Sequence, residues 1–231
     1  MKQNQSGFTL IEIAIVLVII GLLLGGVLKG QELINSAKVK NLAGDFKNTS
    51  VFIYSYQDKF RTLPGDDPQV ANHVTNGQLP DVVVNIGDGR INGKWDVYSA
   101  LGAGATESNM FWQHVRLAGI ATGVTVPGDT ATQYPPRNTL GGLMGVTNST
   151  VADNPVGDST AVPPTDLKGT YIICSGNILG KFAKQLDILL DDGATSTGSM
   201  QTIPQAAAGT TKGVAVLNPD DTTLYTVCMG V

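Results

Sequence analysis

Few side chains in this sequence are equipped for chemistry. Its only histidines are His73 and His114, and its only cysteines are Cys174 and Cys228. No HExxH, GxSxG or GxxxxGK[ST] pattern occurs, so the common zinc-protease, serine-hydrolase and P-loop sites have no motif here. Gly180-Lys181 is followed by Phe182, and Gly87-x-Gly89 lacks the third glycine of a dinucleotide loop. A Cys174 thiolate would need a neighbouring histidine as its base, and nothing in the sequence supports that pairing. His114, beside Trp112, reads as a packing residue. Hard oxygen ligands are more plentiful, in two groups: Asp66, Asp67, Asp88, Asn92 and Asp96, then Asp187, Asp191 and Asp192. Calcium takes such ligands, but neither group has EF-hand spacing, and acids that form turns and end helices explain them equally well. The carboxylate that most demands a role is Glu12, which interrupts an apolar run.

That run is the element that positions it. Residues 1–7, MKQNQSG, are polar; from Phe8 to Leu28 only Thr9 and Glu12 break the apolar character. A helix over those residues would be about 32 Å long, matching a hydrocarbon core of about 30 Å. A cleaved secretory signal has a shorter apolar core of roughly 7–15 residues and then a small-residue site; here Lys29 follows without one. A plain anchor explains the length but not Glu12, because a carboxylate at the membrane centre costs about 2.5–3.5 kcal/mol on insertion scales. Glu12 lies only about 6 Å along the helix, near an interface, so snorkelling is the competing account. Lys29, Lys38, Lys40 and Lys47 follow the span while Lys2 precedes it. A bare count of positive charges therefore points the wrong way, but large translocated domains weaken that rule.

The hexapeptide Gly7-Phe8-Thr9-Leu10-Ile11-Glu12 closely resembles the GFTLIE signature of type IV prepilins and pseudopilins. The resemblance implies a short leader held in the cytoplasm, a membrane peptidase that cuts after Gly7 and N-methylates Phe8, and an assembly role for Glu12, fifth in the mature chain. Gly21 also falls where many pilins carry glycine. Lys29 stands where many pilins have proline, which removes a kink and suits a minor pilin or pseudopilin. The implied protein is not an enzyme. It is a filament subunit of a type IV pilus or type II secretion pseudopilus. Its implied partners are the prepilin peptidase, other subunits and the inner-membrane assembly platform. It would be stored as a single-pass inner-membrane protein with a periplasmic head before entering the filament. The rival reading is a membrane-anchored periplasmic enzyme or binding module. Major pseudopilins carry a calcium site in a late loop, so the resemblance keeps calcium open; no other cofactor is expected.

The expected organisation is a leader at 1–7, a membrane or filament-core helix at 8–28, an amphipathic continuation at 29–60 and an exported head at 61–231. No proline occurs before Pro64, and Leu33, Ala37, Leu42, Phe46, Ile53, Tyr56 and Phe60 recur near helical spacing. One helix from about Phe8 to Phe60 follows, with this stripe as its seam against the head. Gly21/Gly25 and Gly26/Gly30 give two G-x-x-x-G spacings, which permit close helix approach in an apolar medium. Arg61 to Pro68 ends the helix in turn chemistry. Residues 108–119 read as a short helix and 121–168 as extended loops. A strand is expected at Tyr171–Cys174, and an amphipathic helix from Ile178 to Leu190, stopped by Asp191-Asp192-Gly193. Two late strands are expected at Val214–Leu217 and Leu224–Met229. The fold class is α+β: a long helix packed on a small antiparallel-sheet head. In an exported domain the two cysteines read as a Cys174–Cys228 disulfide. The net charge of −4 and the absence of a basic run give no support for nucleic-acid binding.

Overall fold

The computed structural model describes residues 10–82, 85–126, 134–150, 152–157, 166–209 and 212–231. The architecture is α+β: one long N-terminal helix and a four-stranded antiparallel sheet with short helices. The chain divides into two units between Lys38 and Val39. Helix α1, Leu10–Phe60, contributes to both.

In the first unit, the described residues of α1 are exposed almost throughout. This stretch of helix is long and apolar enough to cross a membrane. In the second unit, α1 buries Val39, Leu42, Ala43, Phe46, Thr49, Ile53 and Tyr56. That three-and-four spacing places them on one helix face. The seam starts later than the sequence suggests: Leu33 and Ala37 are exposed. The helix stops at Phe60, and Arg61 takes a positive φ of 62°. Pro64 cannot continue it, and Gly65 (φ 93°) turns the chain where a side chain would strike the Glu107 carbonyl.

Two further helices follow, α2 at Val70–His73 and α3 at Glu107–Leu117. Helix α2 is a single turn that carries no signal in the sequence. Asn109 helps start α3 by accepting the Thr106 N–H at 3.1 Å. Strand β1, Met144–Asn148, lies inside the segment expected to be loop. Its alternation is hidden because Thr147 and Asn148 are buried too. They donate to the Gly93 carbonyl at 2.7 Å and the Ile91 carbonyl at 3.2 Å.

Strand β2, Tyr171–Leu179, is longer than expected and absorbs Ile178. Between Ser175 and Ile178 its register shifts, with Asn177 at φ 59°, a bulge at a residue that tolerates that conformation. Helix α4, Gly180–Leu190, ends where the Asp191-Asp192-Gly193 signal placed its end. Strands β3, Met200–Pro204, and β4, Leu224–Gly230, complete the sheet in the order β1-β2-β4-β3. Strand β3 went unread, and Val214–Leu217 forms no strand. Of that segment, the Val216 N–H reaches Thr202 at 2.8 Å, while Val214 and Leu217 face solvent.

Both faces of the sheet are covered. Val146, Tyr171, Ile173, Met200 and Val227 join the α1 seam, α3 and α4 in the main core. The alternate residues Ile172, Cys174, Ile203 and Cys228 pack against Trp95, Val156 and Leu167 from the connecting segments. Period-two alternation therefore sends each strand's side chains into two apolar layers.

The outer edges are engaged as well. On β1, the Tyr98 hydroxyl donates to the Met144 carbonyl at 2.7 Å and the Ser108 hydroxyl to the Val146 carbonyl at 2.5 Å. The Met144 N–H bonds to Pro136 at 3.0 Å. On β3, the Thr202 N–H bonds to Thr195 at 2.8 Å and the Met200 N–H to the Asp191 carboxylate at 2.8 Å.

Candidate functional site

Gly7 and Phe8, the expected cleavage and methylation residues, lie outside the described residues. Glu12 is in the first turn of α1 and solvent-exposed. A helix N-terminus carries a partial positive charge, so a carboxylate there is favourable. Residues 13–28 hold no charge and span about 24 Å of helix. An exposed Lys29–Glu32 ion pair of 2.6 Å closes the run. Side chains placed at Gly21, Gly25, Gly26 or Gly30 would meet nothing within 4 Å. The two small-residue pairs are thus open notches on an apolar helix surface. Together these residues offer one carboxylate at the end of an uncharged rod with room for another helix to approach.

The head has one covalent cross-link. Cys174 and Cys228 are direct cross-strand partners in β2 and β4, bonded at 2.08 Å with Cα atoms 4.1 Å apart. That close Cα spacing fits the narrow, non-hydrogen-bonded pairs of an antiparallel ladder. Both cysteines are fully buried on the sheet face away from the α1 seam. A cysteine–histidine nucleophile pair is therefore absent, because both sulfurs are in the disulfide and neither is free.

Among the described residues the first group does not gather into a cluster of carboxylates; its members bond separately, some within local turns and some to distant segments. Asp66 accepts the N–H groups of Gly87 and Gly89, the latter at 2.8 Å, and both glycines take positive φ (84° and 80°), which favours glycine there. Burial raises its pKa, and those two amides offset the rise in part. Asp67 is fully buried and accepts the Tyr56 hydroxyl at 2.7 Å, the Gln69 N–H at 2.9 Å and the His73 Nδ1 group at 2.6 Å. His73 in turn stacks on Phe60 with centroids 4.9 Å apart. Asn92 accepts from Asn148, and Asp96 accepts the Gly209 N–H at 3.1 Å.

His114 is a packing residue, as its neighbour Trp112 suggested, but a bonded one. Its Nδ1 accepts the Gly65 N–H at 2.9 Å, and its Nε2 faces the Gln78 carbonyl at 2.9 Å. The proton therefore sits on Nε2. Burial depresses its pKa to about 4. Glu107, which the sequence did not single out, begins α3 as a buried acid. One oxygen accepts the Asn92 N–H at 2.7 Å; the other has no donor. Burial first, then the nearby Asp66 and Asp88 carboxylates, push its pKa up to about 8. Glu107 has a local signal only in the Thr106/Asn109 helix start that surrounds it.

The second group does converge. One carboxylate oxygen from each of Asp187, Asp191 and Asp192 lies within 4.8 Å of the others, at the end of α4. Among the described residues this is the one such group.

Comparison with known proteins adds a single match. Residues 2–28 fit the family model of the prokaryotic N-terminal methylation motif, the cleavage motif of type IV prepilins and pseudopilins. No curated protein matches the chain, and neither does any solved structure. The motif indicates prepilin-type processing and membrane anchoring, in keeping with the apolar first part of α1.

Proposed function

We propose that this chain, bearing a prepilin-type methylation motif on a 51-residue helix, is a structural subunit of a type IV pilus or type II secretion pseudopilus. The observation that carries the reading is the continuity of the motif with an exposed apolar helix that has one carboxylate at its start. The proposed parts are a leader at 1–7, a span at 8–28, its continuation at 29–60 and an exported head at 61–231. Prepilin peptidase cuts between Gly7 and Phe8 and methylates the new N-terminus. The subunit waits in the bacterial inner membrane with its head in the periplasm. Platform proteins then move it into the filament among other subunits.

Glu12 is the assembly residue. Cleavage creates an α-amino group on Phe8 with an ordinary pKa of about 7.7–8.0, positively charged at neutral pH. In the apolar filament interior, one subunit's Glu12 pairs with the next subunit's Phe8 amine. Breaking a buried pair by removing one partner costs about 3–5 kcal/mol, so the pairing penalises wrong axial register. The glycine notches let neighbouring helices approach closely, and the disulfide stiffens the exported head. The role is structural, not catalytic.

The test is filament incorporation of Glu12→Ala beside wild type at matched membrane levels. The variant is expected to be cleaved and membrane-held yet to enter filaments poorly. Equal incorporation would remove Glu12 from the assembly mechanism.

A further inference from the structure

We propose that the exposed side of α1 between Lys47 and Asp58 docks on the exposed side of α4 in a second copy of this chain, with the two helices running in opposite directions. The proposal rests on the filament reading only for bringing copies together; the contact itself stands on the two faces.

Both faces belong to the unit 39–231. On α1, Lys47, Val51, Tyr54 and Asp58 are all exposed. They follow one another at spacings of four, three and four residues, which puts them in one stripe. The stripe lies on the far side of the helix from the seam of Leu42, Phe46, Ile53 and Tyr56. Val51 is 55% exposed and Tyr54 53%. The Tyr54 ring rests edge-on against Tyr171, with centroids 6.4 Å apart, so it presents a held surface.

On α4, Lys181, Gln185, Ile188 and Asp192 repeat the same spacings of four, three and four. Lys181 is half-buried and the other three are exposed. Asp192 stands just beyond Leu190, the last helical residue. Ile188 is 69% exposed, and Leu189 beside it is exposed too. Phe182, Ala183 and Leu186 hold the opposite side of α4 in the core. Each face is therefore a pair of large apolar side chains left in water between a cation and an anion, the pattern of an interaction surface rather than of scattered exposure.

The charges decide the pairing. Each stripe opens on a lysine and closes on an aspartate. Laid parallel, the stripes would set lysine on lysine and aspartate on aspartate. Laid antiparallel, Lys47 meets Asp192, Val51 meets Ile188, Tyr54 covers Gln185 beside Leu189, and Asp58 meets Lys181. Among the described residues no ion pair includes Lys47, Lys181 or Asp192, and Asp58 has an exposed one with Arg61 at 3.6 Å. Two α1 stripes do not serve each other, because copies anchored in one membrane hold α1 in the same direction and bring like charges level. Like-charge contact suppresses that pairing, while the exposed ion pairs set register more than affinity. The two docking faces differ, so each copy keeps one of them free and the contact repeats from copy to copy as an open array.

The experiment co-expresses two differently tagged full-length copies in the native host, one carrying Val51→Cys and the other Ile188→Cys. Membranes and filaments are treated with a mild oxidant. The mixed pair is expected to cross-link and the two same-site pairs are not, since a disulfide needs Cα atoms within about 7 Å. Adding Lys181→Asp to the Ile188→Cys copy should lower the cross-linked yield at least about fivefold, and adding Asp58→Lys to the Val51→Cys copy should restore it. Wild-type membrane levels of each variant show that the head still folds. Absence of the mixed cross-link overturns the proposal, as do same-site cross-links of equal yield, cross-links only to a different protein, or a charge exchange that fails to restore the yield. Incorporation of Glu12→Ala reads the filament role separately: if that variant is excluded from filaments and the mixed pair stays uncross-linked, the docking contact falls and the filament reading stands.

Discussion

Tyr56→Phe isolates the one buried hydroxyl by which α1 holds the turn that follows it. The Tyr56 hydroxyl donates to Asp67 at 2.7 Å, and both residues are fully buried. Phenylalanine keeps the ring, including its 4.7 Å contact with Phe60, so no large cavity opens. What is lost is one hydrogen bond to a carboxylate, a class contributing about 1.5–3 kcal/mol. Asp67 retains its contacts with Gln69 and His73, which places the loss at about 2 kcal/mol. For a unit the size of 39–231, each kcal/mol moves the melting point by about 2–4 °C, giving a fall of about 4–8 °C. The assay is a thermal melt of the full chain in detergent, repeated for Asp67→Asn and the double variant. A coupling energy of about 1 kcal/mol or more is expected between contacting partners. A Tyr56→Phe loss below about 0.5 kcal/mol, or strictly additive single effects, would refute the argument.

The native N-terminus should be an N-methylated Phe8; mass spectrometry that finds intact Met1 would contradict cleavage after Gly7. Cys174→Ser with Cys228→Ser opens a loop of 54 residues' separation and should cost about 4 kcal/mol in the chain-entropy treatment, read by denaturant unfolding against the oxidised wild type. Glu107 has a folded pKa of about 8 against 4.5, so the native state holds its proton longer and stability falls as pH rises through that window. His114, folded near 4 against 6.5, releases its proton on folding and makes stability rise with pH over 4–6.5. Between 6.5 and 8 the glutamate acts without this opposition, and Glu107→Gln should flatten the decline there. An unchanged slope in urea titrations across those pH values would argue against the buried-acid account.

What the sequence disclosed depended on how many residues repeated one message. Twenty-one residues from Phe8 to Leu28 state apolar helix together, and no nearby turn competes, so α1 was legible almost to its last residue. The start of its seam was not: Leu33 and Ala37 keep the period but face solvent, because burial begins at Val39 with the second unit. Strand β1 escaped because Thr147 and Asn148 are buried and bonded to other segments; polar residues inside conceal alternation. Val214–Leu217 erred in the other direction, since its apolar residues sit outside the sheet. In the candidate sites, single carboxylates such as Asp66 and Asp187 look alike in sequence. Only folding assigns one to the amides of Gly87 and Gly89 and leaves the other without a donor.

The closed edges of the sheet bear on how copies of this head behave beside one another. A bare edge strand is a template onto which an identical strand can add, the usual start of domain exchange and fibrous aggregation. Here the outward carbonyls of Met144 and Val146 are already taken by hydroxyls from Tyr98 and Ser108. The outward N–H groups of Met200 and Thr202 are taken by Asp191 and Thr195. Heads concentrated on one surface can therefore touch through side chains without their backbones templating one another. Crowding such copies leaves each sheet four strands wide.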